Sequence, residues 1–333
     1  MNLLTVNSLT VQTEHQSGPI NILDNLNFNI ESGKSLGVVG ESGCGKSMMA
    51  FTIMGLLPEN MTASGEVLFG SNLLRLPEKE LCQIRGNRMG MVFQEPMTAL
   101  NPVLPIGFQV AESLRLHKSL SLHEAQNQAS KVLDRVGLPA KNFSRSLYPH
   151  QLSGGQRQRV VIAIAIVCEP ELIIADEPTT ALDVTIQEQI LALISELVLE
   201  RNMALILITH DLGVVAENTD QMLVMYAGRI VERGPTQKVF KHLAHPYTRG
   251  LFASIPDSEK SLNEPSQQLE YSRKKRLSTI PGRVPEFWER SKGCSFADRC
   301  SRTQGKCSSL VPDEIQFDTG HYTACFFPYE KTE

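Results

Sequence analysis

Three short segments carry residue types that can handle a nucleoside triphosphate. The first is Gly40-Glu41-Ser42-Gly43-Cys44-Gly45-Lys46-Ser47. Its glycines permit a tight turn with backbone N–H groups facing inward, and the helix that follows adds donors at its N-terminus, which makes an anion cradle. Lys46 supplies a point charge for the terminal phosphates, and the Ser47 hydroxyl can ligate Mg²⁺. The second is Leu172-Ile173-Ile174-Ala175-Asp176-Glu177, an apolar run ending in two acids. Acids at the C-terminal end of a buried parallel strand stand where α/β sheets bind ligands. Adjacent strand residues face opposite sides. Asp176 is therefore expected to hold Mg²⁺, mostly through water, and Glu177 to polarise an attacking water. Alone, the pair reads sooner as solvated strand-end carboxylates; beside a phosphate loop it reads as catalytic. The third is Leu152-Ser153-Gly154-Gly155-Gln156. Its helix start, with the Ser153 hydroxyl beside it, is a second anion site, and one triphosphate does not need both from the same chain.

These segments dictate the elements around them. Leu36-Gly37-Val38-Val39 reads as a short buried strand, and residues 48–54 as a helix without internal Gly or Pro. Residues 157–168 form a strongly apolar helix behind the second glycine loop. From about 95 to 151 the chain reads as a helical insertion. Within it Ser121 and Glu124 make a capping box, and Ala125, Ala129, Val132, Leu133 and Val136 form a core-facing stripe that Gly137 and Pro139 end. A strand at 172–175, a helix through Ile190, Leu193, Ile194 and Leu197, a strand at 204–208 and a turn at 226–229 complete an α/β pattern. Residues 257–277 are polar and include Arg273-Lys274-Lys275-Arg276. They read as a solvated linker, with contact to lipid headgroups as the alternative.

A length of 333 residues fits about two domains. The chain is 41% hydrophobic and 20% charged with a net charge of −4, the balance of a globular protein without an electrostatic footprint for nucleic acid. No apolar run approaches the roughly 18 residues that span a bilayer, and the start Met1-Asn2-Leu3-Leu4 lacks a signal-like basic region and core. The expectation is a cytosolic protein that reaches a membrane only by docking to a partner.

Together the motifs resemble those of the ATP-binding-cassette (ABC) ATPases over roughly the first 240 residues. Gln94 in Phe93-Gln94-Glu95-Pro96 resembles the Q-loop, Leu152 to Gln156 the signature, Ala181-Leu182-Asp183 the D-loop, and His210 in Thr209-His210-Asp211 the switch histidine. The resemblance implies an α/β P-loop NTPase (RecA-like) ABC core at 1–240, with a helical subdomain at about 95–157. It implies catalysis by Glu177, His210 and Gln94, with Mg²⁺ at Ser47, Gln94 and Asp176. ATP would be held by Gly40, Glu41, Ser42, Gly43, Cys44, Gly45, Lys46 and Ser47, together with Gln94 and Asp176. Ser153, Gly154, Gly155 and Gln156 of one chain would reach the γ-phosphate held by a second, so that ATP bridges a head-to-tail pair and hydrolysis releases it. One departure stands out. The family usually offers an aromatic ring for adenine upstream of the phosphate loop, whereas residues 9–22 contain no Phe, Tyr or Trp, so that His15 or an aliphatic residue would have to serve. Weak discrimination between ATP and GTP is expected.

Seven cysteines remain to be placed. Cys44, Cys82 and Cys168 are scattered, and Cys44, inside the phosphate loop, is a candidate for alkylation. Cys294, Cys300, Cys307 and Cys325 cluster at the C-terminus. Stable disulfides are not expected in the cytosol, and by spacing alone a metal site and unligated thiols are equal readings. His245-Pro246-Tyr247-Thr248, Ile280-Pro281-Gly282-Arg283-Val284-Pro285 and the run from Gly293 to Cys300 resemble the C-terminal extension of the dipeptide/oligopeptide/nickel importer ATPases. That resemblance implies a small extension at 241–333 whose four cysteines hold a [4Fe–4S] cluster in a structural role, with zinc as the rival. It also implies a peripheral ATPase on the cytoplasmic face of the membrane. The partners would be two transmembrane permeases, a second related ATPase, with a heterodimer favoured, and an extracytoplasmic peptide-binding protein. Rival readings are a soluble cassette acting on nucleic acid or ribosomes, and a P-loop kinase or GTPase. The first lacks its usual coiled coils, tandem cassettes or basic surface here, and the second lacks a guanine-reading NKxD motif.

Overall fold

The computed structural model describes residues 2–16, 18–180, 182–254 and 279–331. The polar stretch 257–277 with its basic run therefore lies outside the described residues. The first layer is an antiparallel sheet, ordered β2-β1-β4-β5, of β1 (Asn2–Thr13), β2 (Ile20–Glu31), β4 (Met61–Phe69) and β5 (Ser71–Asn72). Alternation along β2 sends Leu26, Phe28 and Ile30 inward while Asn27, Asn29 and Glu31 stay exposed, the mark of a sheet with one wet face.

The second sheet carries the site. Its parallel part consists of β3 (Ser35–Val39), β6 (Met89–Val92), β7 (Leu172–Asp176), β8 (Ala204–Ile208) and β9 (Gln221–Tyr226). All five residues of both β7 and β8 are buried, which is why they read as continuous apolar runs. The sheet continues antiparallel through β10 (Arg229–Pro235), β12 (His321–Thr323) and β11 (Ile315–Asp318), giving the order β11-β12-β10-β9-β3-β8-β7-β6. Ala227 and Gly228, both at positive φ, turn β9 into β10 as the sequence suggests. The C-terminal strands thus extend the core sheet, a connection that nothing in their composition announces.

Helices cover the sheet. α1 (Lys46–Ile53) follows the phosphate loop, and α2 (Glu78–Ile84) packs Leu81 toward Gly55. The insertion contains α3 (Pro96–Ala99), α4 (Ile106–Lys118) and α5 (Leu122–Arg135), then α6 (Gly154–Ile166) behind the second glycine loop. The box on α5 is present: the Ser121 hydroxyl accepts from the Glu124 N–H and Glu124 accepts from the Ser121 N–H. α7 (Val184–Arg201) follows β7 and α8 (Leu212–Asn218) follows β8, while α9 (Thr236–His242) and α10 (Pro246–Ala253) precede the C-terminal segment with α11 (Gly305–Ser309).

One core joins α4, α5, α6 and α7 to one sheet face, and another joins α1 to both sheets. A third brings Phe296 of the C-terminal segment onto Tyr226 and Tyr247, with ring centroids 5.1 and 5.3 Å apart. Among the described residues no helix is long and apolar enough to cross a membrane.

Candidate nucleotide site

The phosphate loop runs from the end of β3 into α1. Gly40 has φ 155°, and a Cβ there would lie 2.3 Å from the Met225 carbonyl oxygen. Gly45, at φ 104°, is the N-cap of α1, and a Cβ would meet Leu23 Cδ2 at 2.7 Å. Both positions therefore require glycine. Lys46 is almost fully buried and donates to the carbonyls of Gly40 (2.8 Å) and Glu41 (3.1 Å). Cys44 is fully buried and burial pushes its thiol pKa up, so the expected sensitivity to alkylation is withdrawn: the thiolate is the nucleophile, and neither it nor access is available.

Asp176 ends β7 beneath this loop. Burial pushes its carboxyl up, against the Ser47 hydroxyl that hydrogen-bonds to it. Its Oδ1 finds no hydrogen-bond partner among the described residues. A buried carboxylate oxygen left over beside a serine hydroxyl suits a hard cation with oxygen ligands.

Glu177 follows at φ 46°, a strained conformation for a residue with a side chain, fixed by its N–H to the Ile208 carbonyl at 2.9 Å. Its Oε2 is the meeting point of the site. Gln94 Nε2 donates to it at 3.2 Å, Thr180 Oγ1 donates at 2.9 Å, and His210 Nδ1 lies 3.5 Å away. Gln94 arrives from the end of β6 and His210 from the end of β8, so three strand ends and the loop after β7 converge. The sequence singled out Gln94, Glu177 and His210 separately; parallel strand order brings them together.

Ser153 caps α6, accepting from the Gln156 N–H at 3.3 Å while Gln156 Oε1 accepts from the Ser153 N–H at 2.9 Å. Gly155 packs so closely on α7 that a Cβ would meet Ile186 Cγ2 at 2.8 Å. Asp183 caps α7 through the Ile186 N–H; Ala181 lies outside the described residues. Among the described residues no hydrogen bond joins 153–156 to 40–47, so within the chain the two anion sites are separate.

The structure adds residues that spacing did not reveal. Arg299 grips Glu41 with two nitrogens, at 2.6 and 3.1 Å, and its side chain is 8% exposed. Tyr247 OH accepts from the Glu41 N–H at 2.8 Å. A lone Arg or Tyr has no spacing to betray it, although both stand in segments on which the family resemblance rested. Thr180, three residues after Glu177, is the other addition.

Cys294, Cys300, Cys307 and Cys325 line one small cavity walled by Phe296, Ala297, Phe326 and Phe327. Backbone N–H groups of Arg302 and Phe327 donate to the sulfurs of Cys300 and Cys325, each at 3.4 Å, and the Cys294 N–H donates to the Cys307 carbonyl at 2.8 Å. Yet among the described residues no group of three or more His, Cys, Asp and Glu is arranged to hold a metal ion. The chemistry of the donors suits a metal; the arrangement does not display one.

A phosphate loop on a parallel sheet, a carboxylate pair at the end of β7 and a capped second glycine loop define a nucleotide-binding cassette ATPase. The comparisons agree. Residues 23–180 match the ABC transporter family, and residues 231–307 match the oligopeptide/dipeptide transporter C-terminal region. The chain is 45% identical over 332 residues to the oligopeptide transport ATP-binding protein OppD of Salmonella typhimurium, covering 99% of this chain and 95% of that protein. It is 44% identical over 330 residues to OppD of Escherichia coli, covering 99% and 94%. Against a probable peptide ABC transporter ATP-binding protein of Sinorhizobium fredii the identity is 46%, covering 97% and 94%. Among solved structures, the dimeric post-hydrolysis state of the ATP-binding cassette MJ0796 bound to ADP and Pi is similar at TM-score 0.63 and 30% identity, covering 70% of this chain and 98% of that one. The chain belongs to the ABC transporter ATP-binding proteins of the oligopeptide/dipeptide type.

Proposed function

We propose that this chain is the ATP-hydrolysing subunit of a peptide importer, and that it works at the cytoplasmic face of the inner membrane. Its partners are two permeases, a second related ATPase in a heterodimer, and an extracytoplasmic peptide-binding protein. The observation that carries the hydrolytic part is the convergence of Gln94, Thr180 and His210 on Glu177 Oε2, beside the phosphate loop. Kinship over almost the whole chain with peptide transport ATP-binding proteins supports the cargo class. The match of residues 231–307 to a transporter region sets aside the rival reading, a cassette acting on nucleic acid or ribosomes.

Loop 40–47 cradles the β- and γ-phosphates through backbone N–H groups, and Lys46 swings from the Gly40 and Glu41 carbonyls to the phosphate oxygens. Mg²⁺, when bound, neutralises charge building on the β–γ bridge. Ser47 and Asp176 would hold that ion, together with Gln94. Glu177 accepts a hydrogen bond from the water that attacks the γ-phosphorus and takes up its proton as the bond to the β–γ bridging oxygen breaks, leaving ADP and phosphate. Gln94 and Thr180 hold the carboxylate for this, and His210 donates to the γ-phosphate. The companion ATPase's counterparts of Ser153 and Gln156 close over the same phosphate, so that ATP completes the interface.

Output passes through the segment after Gln94. There Met97 and Val103 are 62% and 75% exposed, and α3 buries none of its residues. Such an apolar surface next to a catalytic residue suits a permease helix. The four thiols of Cys294, Cys300, Cys307 and Cys325 around one cavity are a donor set that would hold a [4Fe–4S] cluster, with zinc as the alternative. Such a group would have a structural role and no part in hydrolysis. Anaerobic purification tests this: a brown protein with equal iron and acid-labile sulfide is expected, whereas colourless, iron-free protein refutes the cluster.

The deciding experiment for function is Glu177→Gln. Binding of MgATP should persist while turnover falls on the order of 10²-fold or more, and cells relying on the variant should stop taking up peptides. Near-normal hydrolysis would remove Glu177 from the mechanism. Normal hydrolysis without any peptide uptake by the wild type would refute the cargo.

A further inference from the structure

His15 lies in the connection between β1 and β2 and has a partner from the far end of the sequence. The Trp288 ring stands parallel to it, with centroids 5.7 Å apart and planes 4° from coincidence. Trp288 is also 57% exposed, an unusual position for so large an apolar ring.

The segment around it is held firmly. Arg290 donates to the carbonyls of Asn21 (2.7 Å) and Ile22 (3.2 Å), at the start of β2, and its guanidinium lies over the Phe287 ring at 4.8 Å. Glu289 accepts from the Glu286 N–H at 3.1 Å and from Arg283 at 3.0 Å. The segment is tied down while more than half of Trp288 is left to solvent.

That anchorage is at the rim of the phosphate loop. Leu23, next to Ile22, abuts Gly45, and a Cβ on Gly228 would lie 2.7 Å from Arg290 Nη1. The Gly228 N–H in turn donates to the Cys44 carbonyl at 2.8 Å. A stacked ring pair beside an anion cradle is where a base would come to rest when its phosphates are in the cradle.

We propose that Trp288 stacks the nucleobase of the bound triphosphate together with His15, so that a residue of the C-terminal segment sets base affinity at the phosphate-loop site. An aromatic face stabilises a base by stacking whatever the base's hydrogen-bonding edge. Base binding then no longer depends on residues 9–22 alone. The C-terminal segment becomes part of the nucleotide site as well as of the sheet. This rests on the reading of loop 40–47 as the triphosphate site.

Trp288 is the single tryptophan of the chain, so its emission has one source. Full-length Glu177→Gln protein is titrated with MgATP and with magnesium tripolyphosphate, a base-free probe, following both heat and emission. MgATP should alter the emission and tripolyphosphate should not. Adding Trp288→Ala should weaken MgATP on the order of tenfold and leave tripolyphosphate unchanged, while Trp288→Phe should retain most of the affinity. His15→Ala should also weaken MgATP selectively. MgATP heat without an emission change, together with unchanged affinity in Trp288→Ala, overturns the proposal. Equal loss of both ligands in Trp288→Ala overturns it too, because the segment would then prop the loop rather than meet the base. If the parent binds neither ligand, the triphosphate site itself is misread and the proposal falls with it.

Discussion

Glu177 Oε2 takes hydrogen bonds from two side chains and has a third 3.5 Å away, so its orientation is over-determined. Under the proposed role of Glu177, holding its carboxylate within reach of one water raises rate more than affinity. Thr180→Val should therefore lower kcat about tenfold with little change in KM, as steady-state kinetics would read; an equal loss in both would assign Thr180 to binding. Arg299 acts differently. It touches Glu41 of the loop rather than any reacting atom, so it is a positioning residue. Arg299→Ala should raise KM for MgATP several-fold with kcat less affected, and Arg299→Lys should recover part of the loss because Lys cannot reproduce the two-nitrogen grip. Gln94, Glu177 and His210 were visible in the sequence because motif order exposed them. Thr180, Tyr247 and Arg299 were not, because each acts through a contact that spacing does not encode.

Between elements, Asp220 is a lock. It accepts from the Ser35 N–H and hydroxyl, each at 2.9 Å, and from Lys34 at 3.1 Å, and so joins the start of β9 to the start of β3. Burial pushes its carboxyl up, but the Ser35 and Lys34 donors outweigh that and hold it below the ordinary 3.8. A carboxyl held low in the folded state stabilises it fully above the unfolded value and ceases to do so as pH falls through the folded value. Asp220→Asn should therefore be less stable than wild type at neutral pH, and the gap should close in melts below about pH 3.8. A gap constant with pH would contradict the lock. On α5, Ser121→Ala should cost about 1 kcal/mol, read by urea unfolding. That cap was legible in full, since both partners lie within one turn.

The whole molecule depends on its last fifty residues more than a linker-and-tail reading suggests. β12 pairs with β10 at Glu232↔Thr323 and Arg233↔Tyr322, and His321 Nε2 bonds the buried Glu232 at 2.7 Å. Glu232 also accepts from the N–H groups of Ala244 and His245, at 2.8 and 2.9 Å. A chain ended at residue 254 would leave a buried carboxylate short of a partner and bare the Tyr226 and Tyr247 rings. It should melt at a much lower temperature or be insoluble. Unchanged melting would make the C-terminal segment an independent appendage. Pairing with a second ATPase is tested at the same scale. ATP-loaded Glu177→Gln protein mixed with its companion ATPase should sediment as a pair and return to single subunits without nucleotide.

The phosphate loop, the strand-end acids, the second glycine loop and the α5 cap can be read from the amino-acid order alone. These are local devices, written in residues close together along the chain, where backbone geometry and donor types follow from a few neighbours. It takes the folded chain to bring Gln94, Thr180 and His210 around one carboxylate oxygen, to set Arg299 on Glu41 and to lay Trp288 on His15. Apart from Thr180, which stands three residues from Glu177, each of those pairings joins segments brought together by strand order or by the return of the C-terminal chain. Such contacts arise from sheet register and core packing, which no local pattern specifies.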